Sequence, residues 1–234
     1  MQLFYNPDLN PQTESFAFDR EESRHIIKVL RKKDSDILHV TDGKGHLFTT
    51  QITLASDNKC TVKVVSCEKK APSKVQLHLA VAPTKMNDRY EWFLEKATEI
   101  GISQITPIIC DHSERKQVNV DRMEKILISA MKQSKQCYLP KFNAAILLKD
   151  FLKLKGNGQL FIAHCEETQK QSLKTALKPY TDVTILIGPE GDFSEKEIAL
   201  AIENHYVPVM LGETRLRTET AAIVACHTVV FTNE

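Results

Sequence analysis

Thr184-Ile185-Leu186-Ile187-Gly188-Pro189-Glu190-Gly191-Asp192-Phe193-Ser194 is the stretch on which the fold turns. An apolar run of strand length stops at Gly188, and a proline between two glycines makes a tight loop. Ser194 and Glu197 then have the spacing of a capping box ahead of an apolar segment over residues 198–202. Strand, short loop and capped helix form the repeating unit of an α/β domain. Four further apolar runs lie at residues 77–83, 105–110, 160–165 and 207–211. They are near-continuous in hydrophobicity, as parallel strands covered on both faces are. Helical patterns separate most of them. One spans residues 89–100 and stops at Gly101, and another follows the D-x-x-E pair Asp121 and Glu124. The reading is an α/β domain over residues 73–234 with a mainly parallel sheet.

Upstream the pattern shortens. Alternating stretches at residues 37–40, 46–52 and 60–65 predict β-strands, and Asp42-Gly43 is a hairpin turn signal. Gly43-Lys44-Gly45 therefore reads as turn chemistry rather than a phosphate loop. One helix is predicted near residues 19–32, opened by Asp19 and Glu22 in capping-box spacing. Residues 1–70 form a small, mostly β domain, and Ala71-Pro72-Ser73 reads as the linker.

Bulk composition narrows the class. Of 234 residues, 42% are hydrophobic and 26% charged, and the formal net charge is +1. This is a globular composition without a global basic excess, so any nucleic-acid face must be a local patch. The six cysteines contain no C-x-x-C pair, which argues against a zinc site, and read as buried free thiols in a reducing compartment. No metal site is expected. Residues 1–5 lack a basic segment followed by an apolar one, and no apolar run approaches a membrane span. A cytoplasmic protein is the expectation.

Ligands of open α/β sheets gather beyond the carboxyl ends of the strands. Two such ends stand out. The Gly188–Gly191 loop offers backbone N–H groups and one carboxylate, Glu190. The second, Leu211-Gly212-Glu213-Thr214-Arg215-Leu216-Arg217-Thr218-Glu219-Thr220, packs two arginines, two glutamates and three threonines ahead of an apolar helix. Thr218 is placed to cap that helix, with Glu219 near its positive end. A dinucleotide fold would carry a glycine-rich turn after its first strand, but Ala82-Pro83-Thr84-Lys85-Met86 has no glycine. No G-x-x-x-x-G-K-[ST] loop and no Ser/His/Asp or Cys/His arrangement is visible. The eight histidines are scattered and read as structural or solvated.

Ile187-Gly188-Pro189-Glu190-Gly191, followed by Leu211-Gly212 and Leu216-Arg217-Thr218-Glu219-Thr220-Ala221, resembles the cofactor-binding signature of the RsmE family. These are 16S rRNA uracil-N3 methyltransferases of the SPOUT superfamily. Arg24-His25 with Val29-Leu30-Arg31 resembles the family's N-terminal motif. Lys85, Lys96-Ala97-Thr98-Glu99-Ile100-Gly101 and Pro107 resemble its central one, so the likeness runs through almost the whole chain in order. Two departures stand out. Lys132-Gln133-Ser134-Lys135-Gln136 occupies the place where the family often has Glu-Gln-Ser-Gly-Arg, and Asp192 follows Gly191 where a further glycine is common.

The resemblance implies a trefoil-knotted parallel-sheet domain after a PUA-like β-barrel, a homodimer, and S-adenosylmethionine as cofactor. It implies that Leu186, Gly188, Pro189, Glu190, Gly191, Leu211, Gly212, Leu216, Arg217, Thr218 and Thr220 bind the cofactor. The implied substrate is 16S rRNA, methylated at N3 of a uridine. The N3 proton must leave. Arg217 is a candidate to stabilise charge on a uracil carbonyl oxygen, and Glu219 a candidate base, though a carboxylate at a helix N-terminus is a weak one. Arg20, Arg24, Lys28 and Arg31, spaced 4, 4 and 3, would share one face of an α-helix and meet RNA, with Ile26, Val29 and Leu30 opposite. Three other readings remain. A SPOUT enzyme acting on another base or a ribose 2′-hydroxyl would share the cofactor site, and a non-catalytic RNA-binding protein would not need it. A dimeric scaffold would leave both polar loops without purpose.

Overall fold

The computed structural model describes residues 2–154, 156, 158–166 and 170–234, which divide into two compact units. The first comprises Met1–Pro72 with Met131–Leu139, and the second Ser73–Ala130 with Pro140–Glu234.

In the first unit, β1 (Leu3–Tyr5), β2 (Ser15–Ala17), β3 (Ile37–Thr41), β4 (His46–Leu54) and β5 (Thr61–Lys69) form a curled sheet in the order β1-β3-β4-β5-β2. The order is open, a half-barrel. β3, β4 and β5 occupy the three alternating stretches of the sequence. Asp42 accepts from the N–H groups of Lys44 (2.7 Å) and His46 (3.0 Å), which shapes the β3–β4 turn. Gly43 and Gly45 have φ of 71° and 97°, and a Cβ on Gly45 would strike the Tyr138 ring. These glycines thus serve the turn and the segment 131–139 laid against it. There Gly45 N donates to Cys137 O and Leu139 N to Gly43 O, each at 2.8 Å.

The predicted basic helix is shorter than expected. Asp19 caps α1 (Arg20–Arg24) by accepting from Glu22 N at 2.7 Å. His25–Val29 then form a π-turn, closed by Leu30 N to His25 O at 3.0 Å. A π-turn inserts a residue into the helical repeat and rotates everything beyond it. Ile26 is therefore buried with Ile27 and Leu30 packed near it, while Val29 is 64% exposed rather than facing the sheet. Arg20, Arg24, Lys28 and Arg31 are all exposed, but they do not form an α-helical stripe. Arg31 lies beyond the helix at φ 55°, and Lys28 pairs with Asp57 at 3.2 Å. Glu22 does not complete the capping box. Its carboxylate reaches Lys132 Nζ at 2.6 Å, so the lysine found where the family often has an acid meets an acid of α1.

The second unit contains β6 (Leu77–Val81), α2 (Asn87–Ile100), β7 (Gln104–Ile109), α3 (Val120–Ser134, its last turn counted with the first unit), β8 (Lys141–Phe142), β9 (Ile146–Leu147) and α4 (Leu148–Phe151). It continues with β10 (Gln159–Ala163), β11 (Gln171–Ser172), α5 (Leu173–Ala176), β12 (Val183–Ile187), α6 (Glu195–Glu203), β13 (Val207–Met210) and α7 (Thr218–Thr232). The sheet runs β11-β13-β10-β12-β6-β7-β8, with β9 also on β7, and these pairings are parallel. All five apolar runs are strands, and β12 is buried along its whole length. α2 stops at Gly101, whose φ of 114° few side chains tolerate. Asn119 rather than Asp121 caps α3, since its Oδ1 accepts from Arg122 N at 3.0 Å. α7 leaves the β13 side of the sheet and packs against α2, β6 and β12. Among the described residues no helix is long and apolar enough to cross a membrane.

Candidate active site

Strand register places the site. Ala163 at the end of β10 pairs with Ile187 of β12 and Val209 of β13, and Ile187 pairs with Val81 of β6. The loops after these four strands therefore emerge along one edge, where parallel strands present their carboxyl ends.

The Gly188–Asp192 loop is held from every side. Glu190 Oε1 accepts from Lys85 N at 2.9 Å in the loop after β6. Asp192 Oδ2 accepts from Cys165 N at 2.7 Å in the loop after β10. His112 Nδ1 lies 3.0 Å from the carbonyl oxygens of both Gly191 and Asp192. Asp192 itself has φ 63°, the left-handed region. This accounts for the departure from the family's glycine, because Asp is among the few side chains that settle there. Gly188 and Gly191 are glycines for internal reasons too. A Cβ on Gly188 would lie 3.0 Å from the Phe193 ring, and one on Gly191 3.0 Å from His112 Cβ. Below the loop, Ser194 and Glu197 form the predicted capping box of α6.

The loop after β13 runs into α7 differently from expectation. Arg217 is the N-cap residue and makes no side-chain cap. Thr218 is the first helical residue, and its buried hydroxyl donates to Gly188 O at 3.1 Å. The hydroxyl cannot cap because the helix begins one residue earlier than the sequence signal placed it, which turns the side chain toward β12.

Two adjoining cavities lie between these loops, of about 290 and 490 Å³, with Ala163, Cys165, Arg215, Leu216 and Ala221 in the walls of both. Gly188, Pro189, Glu190, Arg217 and Thr218 line the smaller, and Leu211 and Gly212 the larger. A Cβ on Gly212 would meet no described residue within 4 Å. Leu186 is fully buried within the hydrophobic core, and neither wall includes it, Gly191, Glu219 or Thr220. Glu219 is 7% exposed; its Oε1 lies 3.9 Å from Arg89 Nε, and among the described residues its Oε2 is buried without a hydrogen-bond partner. A carboxylate so enclosed is not placed to take a proton from a substrate in the cavities. Sequence reasoning passed over the residues that follow β10. Cys165, expected to be buried, is exposed, because the strand ends at Ala163 and the thiol lies in the loop. The signal available was the length of that apolar run, which ends level with Gly188 once the strands are paired.

A parallel sheet with cofactor-sized cavities at its loop edge, joined to a half-barrel, is the architecture of a two-domain RNA-modifying enzyme, and comparison with known proteins agrees. Residues 71–230 match the family model of the RNA methyltransferase domain, and residues 18–65 that of the RNA methyltransferase PUA domain. The chain belongs to the ribosomal RNA small subunit methyltransferase E family. The protein of that name from Rickettsia conorii is 34% identical over 204 residues, covering 86% of this chain and 83% of its own length. A probable rRNA-methyltransferase from Porphyromonas gingivalis superposes with a TM-score of 0.92 at 37% identity, over 100% of this chain and 98% of that one. The Neisseria gonorrhoeae ribosomal RNA small subunit methyltransferase E, crystallised with S-adenosyl methionine, gives a TM-score of 0.86 at 25% identity over 97% and 95%.

Proposed function

We propose that this enzyme transfers the methyl group of S-adenosylmethionine to N3 of a uridine in 16S ribosomal RNA. The observation that carries the reading is the convergence of the loops after β10, β12 and β13 on two adjoining cavities in a chain of this family. The residues present suit the cofactor. Ala163, Leu211, Leu216 and Ala221 offer apolar wall for an adenine, and the open space at Gly212 admits close backbone approach. Glu190, Arg215 and Arg217 offer both signs of charge to an amino-acid end.

When bound, the cofactor supplies a methyl group on a sulfonium. The chain's own residues do the rest. The tied loop Gly188–Asp192 presents a preformed wall, which fixes the approach. Uracil N3 lies on the Watson–Crick edge, so the target base is unpaired or extruded before it enters. As the N3 proton passes to solvent water, negative charge spreads onto the uracil carbonyl oxygens, and the exposed Arg217 guanidinium stabilises it. Glu219, facing Arg89, orients that arginine and the start of α7 rather than acting as base.

The chain end is inferred to thread a trefoil knot. α7 must pass β10 to travel from β13 back to β12, β6 and α2. Homodimerisation is inferred from α7, where Ile223, Val224 and Val230 are only half buried and Phe231 is 63% exposed. The exposed Arg20, Arg24, Lys28 and Arg31 are assigned to RNA binding. Free thiols at all six cysteines suit the reducing cytoplasm where ribosomes are built. Nucleoside mass spectrometry of 16S rRNA from cells lacking the gene tests the activity. Loss of 3-methyluridine is expected. Its persistence, or loss of a different methylated nucleoside, overturns the assignment.

A further inference from the structure

His164 follows the last residue of β10 and forms part of the wall of the larger cavity. It is 7% exposed, and among the described residues both ring nitrogens are buried without a hydrogen-bond partner. Such orphaned nitrogens are unfavourable in a finished interior, where buried polar groups are paired. The backbone around the ring is pinned, because Lys170 Nζ donates to His164 O at 2.7 Å and to Glu166 O at 2.6 Å. The ring itself has no such tie among the described residues and stands in the cavity wall. Burial and the neighbouring Lys170 push its pKa below the usual histidine value, against the opposing pull of Asp192, so the imidazole is neutral. A neutral imidazole has one donor and one acceptor, which suits the uncharged donors and acceptors of a nucleoside. It does not suit an ammonium and carboxylate pair, for which Glu190, Arg215 and Arg217 stand in the smaller cavity.

We propose that His164 is a cofactor-binding residue that hydrogen-bonds the adenosine half of S-adenosylmethionine. This rests on the cofactor reading above and assigns the ring a partner that no described protein group supplies. The test is calorimetry with two probes, S-adenosylhomocysteine and 5′-methylthioadenosine, the second keeping the adenosine but lacking the amino-acid end. His164→Phe keeps a planar ring and removes both nitrogens. It should weaken both probes by the same factor, about tenfold, as expected for one buried hydrogen bond. His164→Gln, which keeps a donor and an acceptor, should recover most of the affinity. The ligand-free His164→Phe protein should melt no lower than wild type, because it loses two unpaired polar atoms rather than a contact. Weakening of S-adenosylhomocysteine alone would move the contact to the amino-acid end and overturn the proposal. A lowered melting point with unchanged affinity would assign the ring to packing. Wild-type protein that binds neither probe sinks the cofactor reading and this contact with it. Wild-type binding that His164→Phe leaves unchanged sinks the contact alone.

Discussion

Replacing Thr218 by Val removes one hydroxyl and keeps the shape of the side chain. That hydroxyl donates to Gly188 O at 3.1 Å in a buried setting, tying the first turn of α7 to the loop after β12. Without it, a carbonyl in the wall of the smaller cavity loses its donor, which costs about 1–3 kcal/mol. For a chain of this size that corresponds to a fall in melting temperature of roughly 2–4 °C per kcal/mol. Thr218→Ser keeps the hydroxyl and loses one methyl, at about 0.8 kcal/mol. Stability alone thus separates the two poorly, and cofactor affinity separates them well. The Val variant should bind S-adenosylhomocysteine about tenfold more weakly, as 1.4 kcal/mol of lost loop ordering would give, and the Ser variant about as well as wild type. Thr218→Asp adds a third arm. A helix cap would accept the carboxylate. A residue facing Gly188 O would suffer repulsion, so this variant should be the least stable of the three. Equal affinity of the Val and Ser variants, or an Asp variant as stable as wild type, would refute the reasoning and return Thr218 to the role of a cap.

Gly212→Val should leave the fold intact, since a Cβ there meets no described residue within 4 Å, yet weaken cofactor binding by about tenfold or more; unchanged calorimetric affinity would remove Gly212 from the site. Burial, with Lys141 adding to it, pushes His78 down to about 4. The unfolded chain then takes up the proton first, so stability is full above pH 6.5 and declines by up to about 3 kcal/mol as pH falls toward 4. Urea unfolding across this range should show a flatter profile for His78→Asn, and an identical profile would acquit His78. Arg24→Ala with Arg31→Ala should weaken RNA binding and flatten its salt dependence without touching cofactor affinity; an unaltered slope would leave these arginines solvated. Mixed dimers carrying Gly212→Val on one subunit and the two arginine changes on the other should regain activity if each site combines loops of one subunit with arginines of its partner. Tagged heterodimers purified free of both parents that show no recovery would mean that each subunit completes its own site.

Sequence by itself settled what depends on neighbours along the chain. Each apolar run has the length of a strand and is bounded by turn or helix signals, and all five are strands of the parallel sheet. Gly101 and the Ser194–Glu197 pair are local chemistry, so the stop of α2 and the start of α6 were legible. The residues alone marked Gly188–Gly191 and the loop after β13 as two separate strand ends, and their pairing in one site came from the family resemblance. Geometry set by distant partners was not legible. The π-turn at His25–Val29 moves Val29 outward, and nothing in a 4, 4, 3 spacing reports an inserted residue. Thr218 looked like a cap because caps are read within four residues, while its true partner, Gly188, lies 30 residues away. Asp192, Glu190 and Lys132 each resolve only through folding, when Cys165 N, Lys85 N and Glu22 arrive to meet them. Hydrophobic periodicity encodes which residues leave water. Which buried polar group meets which depends on strand register and order, and those exist only once the sheet has assembled.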